Sequence, residues 1–63
     1  MITPDQVVER VIDVALISSG GCGTMIEAAA FPSDAIRDRV LLAYAQNGWT
    51  VVQEGIYFRL SPA

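Results

Sequence analysis

The chain has 63 residues, 52% of them hydrophobic and 17% charged, with one cysteine, no histidine and a formal charge of −3. A chain of this size makes one small domain, residues 1–63, that hides only about 60% of the surface exposed by its unfolded form; with Cys22 as the sole thiol it has neither a disulfide nor the ligands of a zinc site to staple it. Seven acidic residues face only Arg10, Arg37, Arg39 and Arg59, a balance that argues against a nonspecific nucleic-acid binder, which must neutralise phosphates.

The first helix signal is Thr3-Pro4-Asp5-Gln6. Thr3 can cap, Pro4 suits the first helical position, and Gln6 completes a capping box. Spacing at 100° per residue gathers Val7, Val8, Val11, Ile12, Val14 and Ala15 on one face, and Gln6, Glu9, Arg10 and Asp13 on the other. Leu16 and Ile17 fall on or beside the polar arc, so they are candidates for partner contact unless the next loop covers them. Ser18-Ser19-Gly20-Gly21 ends the helix.

Residues 24 to 31, TMIEAAAF, support two readings. Thr24 and Glu27 form a second capping-box pattern, and three alanines favour helix. As a strand, the segment places Ile26, Ala28 and Ala30 on one face and supplies the third strand that a lone hairpin needs. The next helix begins after the Ser33 cap and runs from Asp34, with Ile36, Val40, Ala43 and Tyr44 as its main apolar face and Leu41 and Leu42 on its flanks. Asn47-Gly48 stops it, and Trp49 is expected to fold back on Tyr44.

A hairpin follows: Trp49 to Gln53, a Glu54-Gly55 turn, then Ile56 to Leu60. That loop pairs Val51 with Phe58 and Trp49 with Leu60, and points Trp49, Val51, Ile56, Phe58 and Leu60 at the core. Thr50, Val52, Tyr57 and Arg59 take the outer face. Tyr57 and Arg59 are candidate partner-binding residues, because tyrosine and arginine are enriched at binding hot spots.

The expected architecture is a single α+β domain of order α-β-α-β-β, two helices packed on a three-stranded antiparallel sheet. In residues 33 to 60 it resembles small accessory proteins of tailed bacteriophages, which carry a helix ending in tyrosine, then Gly-Trp or Gly-Tyr, then a short hairpin; here these are Tyr44, Gly48, Trp49 and the hairpin. The resemblance implies a phage or prophage origin and a role as a virion part or an inhibitor of a host factor. It carries over no catalytic residue, and the alanine run departs from its pattern. The same stretch also resembles a winged helix-turn-helix of order α-α-α-β-β, which would make the protein a DNA-binding regulator with Arg37 and Arg39 facing DNA, although Asp34, Asp38 and Glu54 lie on the same elements.

No catalytic, metal or cofactor site is expected. The Ser18–Thr24 glycine loop lacks the lysine of a phosphate-binding loop. Cys22 has no histidine to activate it, and the carboxylates Asp5, Glu9, Asp13, Asp34 and Asp38 form stripes on faces expected to meet solvent or a partner. No run approaches the roughly 18 apolar residues of a membrane span, and the N-terminus lacks a basic signal region. The expectation is therefore a non-enzymatic protein, cytoplasmic, or in a virion as the phage resemblance implies, whose excess of apolar residues is covered by a protein partner or by self-association.

Overall fold

Thr3 and Gln6 exchange the two hydrogen bonds of a capping box: the Gln6 N–H donates to Thr3 Oγ1 at 3.2 Å and the Thr3 N–H to Gln6 Oε1 at 2.9 Å. From this start helix α1 runs Pro4–Ser18 in the computed structural model, which describes every residue from Met1 to Ala63. Strand β1 is Thr24–Glu27, followed directly by a 3₁₀ turn over Ala28–Ala30. Helix α2 is Asp34–Ala45, with Ser33 Oγ accepting from the Ile36 N–H as N-cap. Strands β2, Trp49–Glu54, and β3, Tyr57–Pro62, complete the order α-β-α-β-β.

The three strands form one antiparallel sheet in the order β1-β3-β2, so the last strand is the central one. Ile26, Phe58, Leu60 and Val51 share the inner face with both helices above it, and Phe31 meets Phe58 edge to face with ring centroids 5.9 Å apart. The segment 24–31 therefore splits between its two readings: the β-branched half pairs with β3, and the alanines turn. That strand excludes the winged helix-turn-helix order, which needs a helix over the same residues.

Two further expectations change. The hairpin turns at Gly55-Ile56, between the paired Glu54 and Tyr57, and not at Glu54-Gly55. Gly55 takes φ +62 while Ile56 keeps a negative φ, which is the pattern of a turn with glycine at its first central position. The register consequently pairs Val51 with Leu60 and Trp49 with Pro62. Relative to the expected register this is a slip of two residues, and because side chains alternate with period two, every paired residue keeps its expected face. Only Ile56 leaves the core side, standing 61% exposed at the turn.

The orientation of α1 differs more. Its buried residues are Val8, Ile12 and Leu16, whereas Val7, Val11 and Val14 face solvent. Leu16, expected on the polar side, is a core residue. Contacts with α2 match this orientation: Arg39 binds Asp5 through two hydrogen bonds of 2.9 and 3.0 Å, and the Tyr44 hydroxyl reaches Asp13 and the Glu9 carbonyl. The acidic stripe is thus the edge of α1 that faces α2, while the Val8-Ile12-Leu16 row lies down on the sheet and the valine row points outward.

Candidate protein-binding surface

Val7, Val11 and Val14 recur at i, i+4 and i+7, so they stand one above another on the outer side of α1. Each is more than half exposed, and Ile2 from the preceding residues stands beside them. With Gln6 and Arg10 they line a shallow depression of about 540 Å³. A second groove of about 330 Å³ runs along the other flank of the row, between α1 and the β1 segment, with Val8, Ile12 and Ile26 at its floor and Ala30 and Pro32 on its far wall. Val7 and Val11 belong to both, so one apolar surface wraps from the outer side of α1 to the edge of β1.

Arg10 is the arginine of this surface and has no carboxylate partner, whereas Arg37, Arg39 and Arg59 are each within salt-bridge distance of one. A surface helix ordinarily turns charged and polar residues outward and leaves apolar ones to the core. α1 has two apolar rows, and the core uses one of them.

The sequence-derived candidates scatter. Leu16 is buried in the core, whereas Ile17 is 78% exposed near the end of α1. Tyr57 and Arg59 lie on the outer face of the sheet, opposite the helices, where Arg59 Nη2 binds Glu54 at 2.8 Å and has Val52 and Met25 as cross-strand neighbours. Ile17 therefore belongs to a different side of the molecule from Tyr57 and Arg59. The arginines of the DNA-binding alternative are also engaged: Arg37 binds Asp34 and Asp38, and Arg39 binds Asp5. Periodicity places Val7, Val11 and Val14 on the same apolar face as Val8 and Ile12; the signal for their exposure is that two rows of apolar residues, 8-12-16 and 7-11-14, compete for one sheet, and nothing local to α1 ranks them.

The two polar contacts that fix this rotation titrate in opposite directions. The Arg39 hydrogen bond, and then its charge, hold Asp5 below the usual carboxylate range, so that contact stabilises the fold above the unfolded pKa of aspartate and is lost as pH falls through the folded value. Burial first, and the hydrogen-bonded Asp13 carboxylate second, raise the Tyr44 hydroxyl above its ordinary value. Its contribution is complete below the unfolded tyrosine pKa of about 10 and declines as pH rises beyond that. The melting temperature of the wild type is accordingly expected to fall above about pH 10, and Tyr44→Phe to flatten that alkaline limb while costing about 1 kcal/mol or less at neutral pH. Thermal melts of both proteins across the alkaline range check this.

The side chains that carry chemistry elsewhere in proteins lie apart here: Cys22 is exposed in the loop before β1, and no three of the acidic or thiol groups come together as metal ligands. No helix is long and apolar enough to cross a membrane. Comparison of the chain with protein-family models, with curated proteins and with solved structures found no match.

Proposed function

We propose that this protein acts by binding another protein through the valine row of α1, as a small accessory component of the kind tailed bacteriophages encode, either a part of the particle or an inhibitor of a host factor. The observation that carries the proposal is the second apolar row of α1: Val7, Val11 and Val14 stay more than half exposed on a helix whose other row already fills the core. Contiguous apolar surface rimmed by polar groups is a recurrent mark of interaction sites, and a helical row at i, i+4 and i+7 suits an apolar groove or a second helix. The element order, with Tyr44 in the last turn of α2, Gly48 after it and Trp49 opening the hairpin, supports the phage-type reading. Under it, the place of action is the host cytoplasm or the virion.

A photo-crosslinking amino acid at position 11 tests the proposal. It is expected to trap one protein from particles or host lysate, and Val11→Asp to abolish the capture of that protein by the purified chain while changing stability by less than about 1 kcal/mol, because Val11 is 55% exposed. A crosslinker at position 11 that traps nothing from either source, or a captured protein that binds Val11→Asp as well as the wild type, removes the proposal.

A further inference from the structure

The edge of β2 carries a second, separate message. Antiparallel ladders alternate hydrogen-bonded and open pairs, and the Ala63 N–H donates to the Gly48 carbonyl at 3.0 Å, one step beyond the Trp49–Pro62 pair. The alternation then turns the N–H and C=O groups of Thr50, Val52 and Glu54 toward β3, and those of Trp49, Val51 and Gln53 away from it. Pro62, which has no N–H, stands opposite Trp49, a position where none is needed. On the far side of β3 the Ala28 N–H donates to the Ile56 carbonyl at 2.8 Å, which gives the same phase.

No backbone hydrogen bond outside the regular elements involves residues 49 to 54, so no loop or terminus closes this edge. Natural sheets blunt open edges with lysine, proline, bulges or very short strands. β2 has six residues, WTVVQE, with an unbroken register, no lysine, proline or bulge, and a single charge, Glu54, at its last position. The opposite edge differs: β1 has four residues, of which only Met25 and Glu27 face outward, and the 3₁₀ turn ends it.

We propose that β2 pairs antiparallel with β2 of a second copy of this chain, about a two-fold axis perpendicular to the sheet that passes midway between the two Val51 residues. This register uses every outward group. Val51 stands opposite Val51 of the second copy and Trp49 opposite Gln53, so each copy donates three backbone hydrogen bonds and accepts three. Between them Thr50 meets Val52, a β-branched pair of the kind that stabilises ladders. Glu54, the one charge on the strand, falls opposite Gly48 and meets no like charge. A foreign strand would satisfy the same backbone groups, but the fit of WTVVQE to its own reverse favours the second copy. The product is a six-stranded sheet, β1-β3-β2-β2-β3-β1, with all four helices on one face, and with both α1 valine rows remote from the junction and free. This inference stands independently of the partner proposed for α1.

Sedimentation equilibrium from about 10 µM to about 1 mM, where mass action would reveal self-association, is expected to show a species of twice the 6.8 kDa chain mass. Amide hydrogen exchange of the same samples supplies the register. Thr50, Val52 and Glu54 are protected at all concentrations, whereas protection of Trp49, Val51 and Gln53 rises roughly tenfold or more with dimer formation. Gln53→Pro deletes an N–H that bonds nothing within the chain, so it should stay folded and become monomeric. A wild type that is monomeric throughout overturns the proposal. So does a dimer in which the Trp49, Val51 and Gln53 amides still exchange freely, or a Gln53→Pro protein that dimerises as the wild type does.

Discussion

Leu16→Ala is expected to lower the unfolding free energy by about 2–4 kcal/mol, while Ile17→Ala, one residue further, is expected to change it by less than about 0.5 kcal/mol. Leu16 is 6% exposed and continues the row of Val8 and Ile12 at successive i+4 steps; Ile17 is 78% exposed. Truncating Leu16 removes three heavy atoms from a core of nine buried residues, and the cavity left has few neighbours able to collapse into it. A domain of this length has only roughly 3–9 kcal/mol of stability in total, so the first substitution should be visible as a large drop in the denaturation midpoint and the second as almost none. Urea titrations of the two variants decide the matter. Equal effects would mean that α1 is rotated about its axis relative to the arrangement fixed by Asp5, Asp13, Arg39 and Tyr44.

Gly23→Ala is expected to be the most damaging of the glycine substitutions, at roughly 3 kcal/mol or more. Two independent costs add at this position. Gly23 holds φ +110, a conformation a side chain rarely adopts, and a Cβ there would lie 2.3 Å from the Leu60 carbonyl oxygen and 3.1 Å from the Ser61 Cα. Both obstacles are backbone of the central strand, so neither can move without disturbing the ladder to β1 that begins at the Thr24–Leu60 pair. Gly20 and Gly21 also have positive φ but open space around the missing Cβ, so alanine at either should cost only the conformational term, about 1 kcal/mol. A thermal melt of the three variants tests the ranking; a Gly23→Ala protein as stable as Gly20→Ala would show that β1 does not approach β3 this closely.

Gly23 illustrates one limit of the sequence. The run Ser18–Gly23 reads as a flexible connector, because small and glycine residues between two apolar segments usually are one. Nothing in it distinguishes a glycine that merely loosens the chain from one that lets two strands touch. The contact is with a residue 37 positions later, and only the packed sheet brings it there.

The hairpin shows what survives an error. Trp49-Thr50-Val51-Val52 and Tyr57-Phe58-Arg59-Leu60 alternate strongly enough to fix which side chains point inward, and a register slip of two leaves that assignment intact. The turn position itself follows from backbone geometry at Gly55 and from how far β3 extends, to Pro62, beyond the last large apolar residue. For the segment 24–31 the local preferences conflict, and pairing with β3 decides: Ile26 gains a buried site against Phe58, whereas the alanines have too little side chain to hold a strand position and turn instead.

The sequence by itself determined the existence, order and approximate ends of the two helices and the hairpin, since caps, stops and alternation are local signals spaced within a few residues of what they control. It also determined that apolar residues outnumber the places a 63-residue interior can offer. Which of them are left outside was decided only by tertiary structure. The choice between the rows 8-12-16 and 7-11-14 is made by packing against α2 and the sheet, with Asp5 meeting Arg39 and Asp13 meeting Tyr44 across more than thirty residues, and periodicity within one helix carries no information about partners so distant. The exposed valine row on α1 and the open edge of β2 both arise at that level, where rotation of a helix and phase of a ladder select which groups the fold satisfies and which it leaves exposed.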